Sequence, residues 1–186
     1  RGYQEAITYS FVDREQDRLF AGGKAGVPLV NPLSTELAVM RQGLWPGLVQ
    51  ALQHNLARQQ RRVRLFEAGV RFVNSGTGLI EELVISGVAA GTALPEQWGE
   101  PSRPVDYFDV KSDLEAILSM AGDPDEFSWS ADQHPALHPG RSWLRKEMCQ
   151  DWASLVGLVN GVIKPSFSRT MVTQLNVFPA KVFPWS

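Results

Sequence analysis

The sequence predicts an α+β fold built on a largely antiparallel sheet. Three observations predict it. Residues 63–73 and 82–93 are rich in β-branched and aromatic side chains, and a turn at 74–78 separates them. Helical spacing marks residues 45–58 and 111–120. Residues 126–186 read as four short strands broken by prolines. No internal repeat or low-complexity tract interrupts this pattern.

Taken in order, the chain opens with a short polar helix end from residue 3, then a strand at Thr8-Tyr9-Ser10-Phe11-Val12. Asp13 is placed to cap a helix over 14–20, since its carboxylate can accept from the first free amides. A glycine-rich turn at 21–26 leads to a brief apolar strand at 27–30, ended by Asn31-Pro32. Ser34 with Leu37 is half a capping box, a weak helix start.

Leu44, Leu48, Val49, Leu52 and Leu56 then form one apolar stripe on a helix running from about Trp45 to Arg58, with Pro46 tolerated in the first turn. Its polar face carries Gln50, Gln53, His54 and Arg58. In the strand at 63–73, Val63, Leu65 and Glu67 alternate with Arg64, Phe66 and Ala68, so one face mixes apolar and charged groups. The next strand sets Leu83, Ile85, Gly87 and Ala89 on one side. After a loop at 95–104 with Trp98, residues 105–110 lead into a helix at 111–120, stopped by Gly122.

Composition bounds the function. With 186 residues, the chain suits a single domain over 1–186 that buries roughly 70% of its unfolded surface without disulfide or metal staples. Hydrophobic residues make up 44% and charged residues 20%, as in ordinary globular proteins. The one cysteine, Cys149, has no internal partner, which fits a reducing cytoplasm. There is no secretory signal pattern and no apolar run long enough to cross a membrane. The start at Arg1 reads as a piece cut from a longer polypeptide. A net charge of −2 means that any contact with nucleic acid must come from a local patch.

One such patch is the cluster Arg58, Arg61, Arg62 and Arg64, with Arg71 beyond. Guanidinium forks can bind phosphate in pairs of hydrogen bonds. The alternative is a solvated helix end whose cations complement the helix dipole and pair with acids. His134 and His138 bracket Pro135, which breaks the helix that would align them for a metal, and no third ligand accompanies them. Asp106, Asp109, Asp113 and Glu115 offer carboxylates to magnesium, but Asp109 is more simply a helix cap, with Asp113 and Glu115 on a wet helix face. Phosphate-cradling glycine spacings and a Gly-x-Ser-x-Gly elbow are absent. No catalytic or metal-ligating residue is assigned.

Five strings carry a resemblance. They are Gly2-Tyr3-Gln4-Glu5-Ala6-Ile7-Thr8-Tyr9-Ser10-Phe11, Asn31-Pro32-Leu33-Ser34 through Met40-Arg41, and Arg64-Leu65-Phe66-Glu67-Ala68-Gly69. Residues 105–115, VDYFDVKSDLE, and Leu137-His138-Pro139-Gly140-Arg141-Ser142 complete the set. In this order and spacing, residues 2–142 resemble the β chains of bacterial phenylalanine–tRNA ligase. From Trp143 on the likeness fades, so residues 143–186 stand as divergent tail strands.

The resemblance implies a class II aminoacyl-tRNA synthetase-like antiparallel sheet flanked by helices, within a heterotetramer of two α and two β chains. It implies that the α chain carries ATP, phenylalanine and the adenylation chemistry, that the complex uses magnesium, and that this core binds no cofactor, helps form the interface and presents tRNA(Phe). Two features of the residues agree. The glycine-rich motif ending in arginine that class II chemistry uses does not occur near residues 177–182. If Gly69 matches the glycine of the α chain's substrate strand, Phe66 and Ala68 stand where hydrogen-bonding side chains belong. Trp45, Leu48, Val49, Leu52 and Leu56 are then candidates for an interface helix, and Arg58, Arg61, Arg62 and Arg64 for contacts to tRNA or a partner carboxylate. Two competing readings are a stand-alone adenylate-forming enzyme of the same fold and an independent RNA-binding module.

Overall fold

The computed structural model describes residues 1–120, 127–131, 136, 143–147 and 170–175, and the structural statements below concern these. The centre is a four-stranded sheet, and the remaining described strands form two smaller two-stranded sheets. The α+β class holds, with mixed strand directions.

The sheet is organised by a long hairpin. Strands β4 (Arg62–Asn74) and β5 (Leu79–Gly91) pair antiparallel along their whole length, from Arg62 opposite Gly91 to Asn74 opposite Leu79. The turn falls where small polar residues and glycines cluster. Ser75 N–H donates to the Gly78 carbonyl at 3.0 Å, and Gly76 N–H donates to Asn74 Oδ1 at 3.0 Å. β8 (Thr170–Leu175) adds antiparallel to the far side of β5, opposite Ile85–Ala90. β6 (Phe127–Ala131) and β7 (Trp143–Glu147) form their own antiparallel pair.

The first residues depart from expectation. Instead of a helix end, β1 (Gln4–Glu5) pairs parallel with Leu65 and Phe66, and so covers the free edge of β4. The strand expected at 8–12 shortens to β2 (Phe11–Val12), paired with β3 (Val39–Met40). The strand expected at 27–30 reduces to a single bridge between Pro28 and Val39, and Val30 is exposed. Helix α1 (Arg14–Phe20) forms as read: Asp13 accepts from the N–H groups of Glu15 and Gln16 at 3.0 and 2.9 Å. Ser34 makes no side-chain cap bond, and only a short 3-10 turn, Thr35–Leu37, follows it.

Helix α2 (Trp45–Ala57) lies on one face of the hairpin. Leu44, Trp45, Leu48, Val49 and Leu52 are each no more than 1% exposed and pack on Val63, Leu65, Val84, Val88 and Ala90. Burying a side chain of this size contributes about 1.5–3 kcal/mol relative to leaving it in water. Phe20 of α1 meets Trp45 edge-on, with ring centres 5.9 Å apart. Arg58 caps the helix, Gln59 takes φ +64°, and the chain turns back into β4. Gly91 is needed here: at φ +88° a side chain would drive into the Arg61 carbonyl.

Helix α3 (Tyr107–Leu118) covers the opposite face, where Val110 packs with Val105, Ala89 and Tyr3. It starts earlier than the sequence suggested. Asp106, not Asp109, is the cap: it accepts from Phe108 N–H at 2.9 Å and Asp109 N–H at 3.2 Å. Asp109 completes a reciprocal capping box by accepting from Asp106 N–H at 2.9 Å. Ser119 caps the other end, and Gly122, the expected stop, lies outside the described residues.

Candidate functional site

The arginine cluster divides when the chain folds. Arg58 and Arg61 are exposed in the turn between α2 and β4. Arg62 and Arg64, two residues apart on one strand, both face α3. Arg64 is buried. Its Nη1 donates to Asp113 at 2.8 Å and its Nη2 to the Ala93 carbonyl at 2.9 Å, while its guanidinium sits 5.4 Å from the centre of the Tyr3 ring. Arg64 is therefore a clamp between sheet and helix, not a surface contact, which corrects its assignment to an RNA or partner surface. Arg71 likewise pairs with Glu82 at 2.6 Å.

Arg62 is half-buried, and its Nε has no hydrogen-bond partner among the described residues, although Asp113 is close enough to attract its charge. Burial, then the charge of Arg64, lowers its pKa. Asp113, expected on a wet helix face, is instead nearly buried and also accepts from Arg1 Nη1 at 2.9 Å. Burial pushes the Tyr3 phenol above its ordinary range, and Asp113 beside it adds to the shift. The alternation around Arg64 placed it opposite Val63 and Leu65, but a cation inside this layer follows only from the acid on α3 that meets it.

The other carboxylates that could serve magnesium are engaged too. Arg103 forks onto Asp109 with two bonds of 2.7 Å, and those bonds hold Asp109 below the usual carboxylate range. Asp106 caps α3, and Glu115 pairs with Lys111 at 3.4 Å. Cys149, His134 and His138 lie outside the described residues. His54 is exposed on α2.

A second polar centre lies under α2, and the sequence pattern did not reveal it. Arg41 Nη1 donates to Glu67 Oε1 at 2.7 Å, with both side chains about 5% exposed or less. Thr8 Oγ1 donates to Glu67 Oε2 at 2.7 Å, and Arg41 Nε donates to the Val70 carbonyl at 2.8 Å. Gly69 leaves room for this arginine, since a Cβ there would stand 2.5 Å from Arg41 Nη2. The available signal was Glu67 itself, a carboxylate on the same strand face as Val63 and Leu65.

The candidate interface helix is also partly reassigned. Trp45, Leu48, Val49 and Leu52 are consumed by the chain's own core, because the sheet is the apolar surface nearest to them. Leu56, at 36%, is the member of the stripe left at the surface. The outward side of α2 instead borders an open groove of about 720 Å³, which Gly47, Gln50, Ala51, His54 and Asn55 share with Ile7, Thr8 and Tyr9. Ile7 is 89% and Tyr9 75% exposed there.

On the opposite face of the sheet lies a cavity of about 400 Å³ between β4, β5 and α3. Phe66, Ile85, Gly87, Leu114 and Ile117 give it an apolar wall, and Arg1, Tyr3 and Asp113 stand at its polar end.

Comparison with known proteins supplies the last observation. A family model described as the phenylalanyl tRNA synthetase beta chain CLM domain matches residues 1–147. The chain is 49% identical over 178 residues to the phenylalanine–tRNA ligase beta subunit of Pseudomonas fluorescens (strain Pf0-1), covering 96% of this chain and 22% of that protein. It is 52% identical over 155 residues to the subunit of the same name from Nitrosococcus oceani, covering 82% and 20%. The Sodalis glossinidius subunit is 48% identical over 145 residues, 76% and 18%. The chain thus spans about a fifth of the length of these relatives.

Proposed function

Because the chain belongs to the family of phenylalanyl-tRNA synthetase β chains, we propose that it is the non-catalytic, class II synthetase-like core of that subunit. In this reading it supports ATP-dependent attachment of phenylalanine to tRNA(Phe) in the cytoplasm by assembling with an α subunit. ATP and phenylalanine are the α subunit's ligands, and magnesium is used by the complex, not by this core. The observation that carries the reading is the family match across residues 1–147.

The side chains over the sheet support the non-catalytic part. A transferring phosphoryl group needs cations free to meet developing charge. Here Arg64 is already committed to Asp113 and a carbonyl, and Phe66 and Ala68, which follow it on the same face of β4, carry no cation. No described helix is long and apolar enough to cross a membrane.

The two contact surfaces follow from what the fold leaves exposed. The outward side of α2, with Ile7 and Tyr9 along its groove, is the surface offered to the α subunit. Arg58 and Arg61 are the cations offered to tRNA, with Arg62 behind them. The test is a reconstituted ligase carrying Arg58→Glu and Arg61→Glu in this core. Its tRNA affinity falls, and the slope of log K against log salt flattens by roughly 0.7–0.9 for each phosphate no longer neutralised. Unchanged affinity and slope would remove the tRNA half of the proposal. Deleting the core while aminoacylation and copurification with the α subunit persist would remove the rest.

A further inference from the structure

Residues 1–9 run along the edge of the central sheet and dock on both of its faces. Tyr3 belongs to the α3 side, where it packs with Ala89, Val105 and Val110 under the Arg64 guanidinium. Ala6 belongs to the α2 side and packs against the core that holds Leu48 and Leu65. Between them the backbone is held to β4 by the two parallel pairs of β1 and by Ala6 N–H, which donates to the Phe66 carbonyl at 2.8 Å.

Each end of this segment meets its own anchor. At the α3 end, Arg1 Nη1 donates to Asp113 Oδ1 at 2.9 Å and to Ser112 Oγ at 3.2 Å. Gly2 takes φ +76°, and a Cβ there would stand 3.2 Å from Arg62 Nη1, so the backbone passes directly against that guanidinium. At the α2 end, Thr8 N–H and Oγ1 donate to the buried Glu67 at 3.3 and 2.7 Å. Glycine is unfavourable inside a helix, yet Gly47 of α2 faces Thr8, and a Cβ there would collide with the threonine hydroxyl. Ile7 and Tyr9, on either side of Thr8, are exposed along the groove.

We propose that residues 1–9 are a strap that docks and releases as one unit, and so couples the groove beside α2 to the position of Arg62. Glu67 and Arg62 are five residues apart on β4, roughly 17 Å, and on opposite faces of the sheet. Groups so placed act independently unless an element that both can bias joins them. The strap is such an element, because it touches both. Its consequence rests on the function proposed above: an α subunit seated on Ile7 and Tyr9 holds the strap down, fixes Gly2 against Arg62 and strengthens tRNA binding. By reciprocity, bound tRNA strengthens the hold on the α subunit by the same factor.

The test uses a reconstituted ligase whose β subunit carries this core, with amide hydrogen exchange and tRNA(Phe) affinity as readouts. Thr8→Val removes the hydroxyl donor and keeps a branched side chain. It speeds exchange about fivefold or more in residues 2–5 and in residues 107–113 of α3, while amides of α2 exchange as before. It also weakens tRNA(Phe) binding about fivefold, and no further when combined with Arg62→Ala. Two glycines inserted between Glu5 and Ala6 leave both anchors docked but slacken the strap, and Thr8→Val then no longer reaches α3. A change confined to residues 6–9, one spread equally over α2, or one that still reaches α3 through the lengthened strap would overturn the proposal. Exchange that changes as described while tRNA affinity stays fixed keeps the strap and removes instead the tRNA contact assigned to the arginines.

Discussion

Replacing Arg41 by Met tests whether the charged centre under α2 supports the fold. The change keeps an unbranched chain of similar reach and removes the guanidinium. Glu67 would then lose its 2.7 Å ion-pair bond while buried, retaining only the Thr8 donors at 2.7 and 3.3 Å. The Val70 carbonyl would also lose its 2.8 Å bond from Arg41 Nε. Stranding one member of a buried pair typically costs about 3–5 kcal/mol, because the remaining charge stays desolvated. In a domain of this size each kcal/mol moves the melting temperature by roughly 2–4 °C, so Arg41→Met lowers it by about 6–20 °C. The assay is urea and thermal unfolding of the single variants Arg41→Met and Glu67→Leu and of the double variant. The double variant regains most of the loss, since no lone charge is left inside. A single-variant cost below about 1 kcal/mol, or a double-variant loss equal to the sum of the two, would refute the argument that pairing rather than packing matters here.

Asp17 is 1% exposed and its acceptors are met by neutral donors, Gln42 N–H at 2.9 Å and Gln42 Nε2 at 2.7 Å. Burial raises its pKa above the ordinary value of 3.8. A raised carboxyl stabilises the fold below its unfolded pKa, and that contribution is lost as pH rises through the folded value. The melting temperature of Asp17→Asn minus that of the unmodified chain should therefore increase from pH 4 to pH 7; a flat or falling difference in calorimetric scans would reverse this sign. Asp106→Ala removes both cap bonds of α3 and costs about 0.5–2 kcal/mol, read in the same unfolding assay, whereas Asp106→Asn keeps an acceptor and loses less.

The regular elements that bury a long periodic face were readable in advance, and the reason is visible in their residues. Leu48, Val49 and Leu52 announce α2 because a 3.6-residue period and an apolar stripe are the same physical fact. The hairpin was readable for the same reason, with Asn74 and its following glycines marking the reversal. Two of the two-residue strands were not. β1 and β3 exist because β4 and β2 present unpaired backbone edges, and Gln4-Glu5 and Val39-Met40 carry no alternation that could announce them. The shift of the α3 cap from Asp109 to Asp106 has a local cause. Both aspartates fit an N-terminus, and only the fork from Arg103 onto Asp109, together with the reciprocal bonds, decides which one caps.

The charged residues show where reading from sequence stops. A run such as Arg58, Arg61, Arg62 and Arg64 has one charge pattern but two fates, because a strand alternates sides while a turn does not. Arg61 precedes β4 and stays in water; Arg64, inside it, is carried beneath α3 to an acid 49 residues away. Arg41 and Glu67, 26 residues apart, are likewise joined only by the fold. Sequence proximity therefore overstated the basic patch, and long-range pairing removed its most buried member. The same pairing leaves Arg62 half-buried beside Arg64, with its Nε unbonded among the described residues.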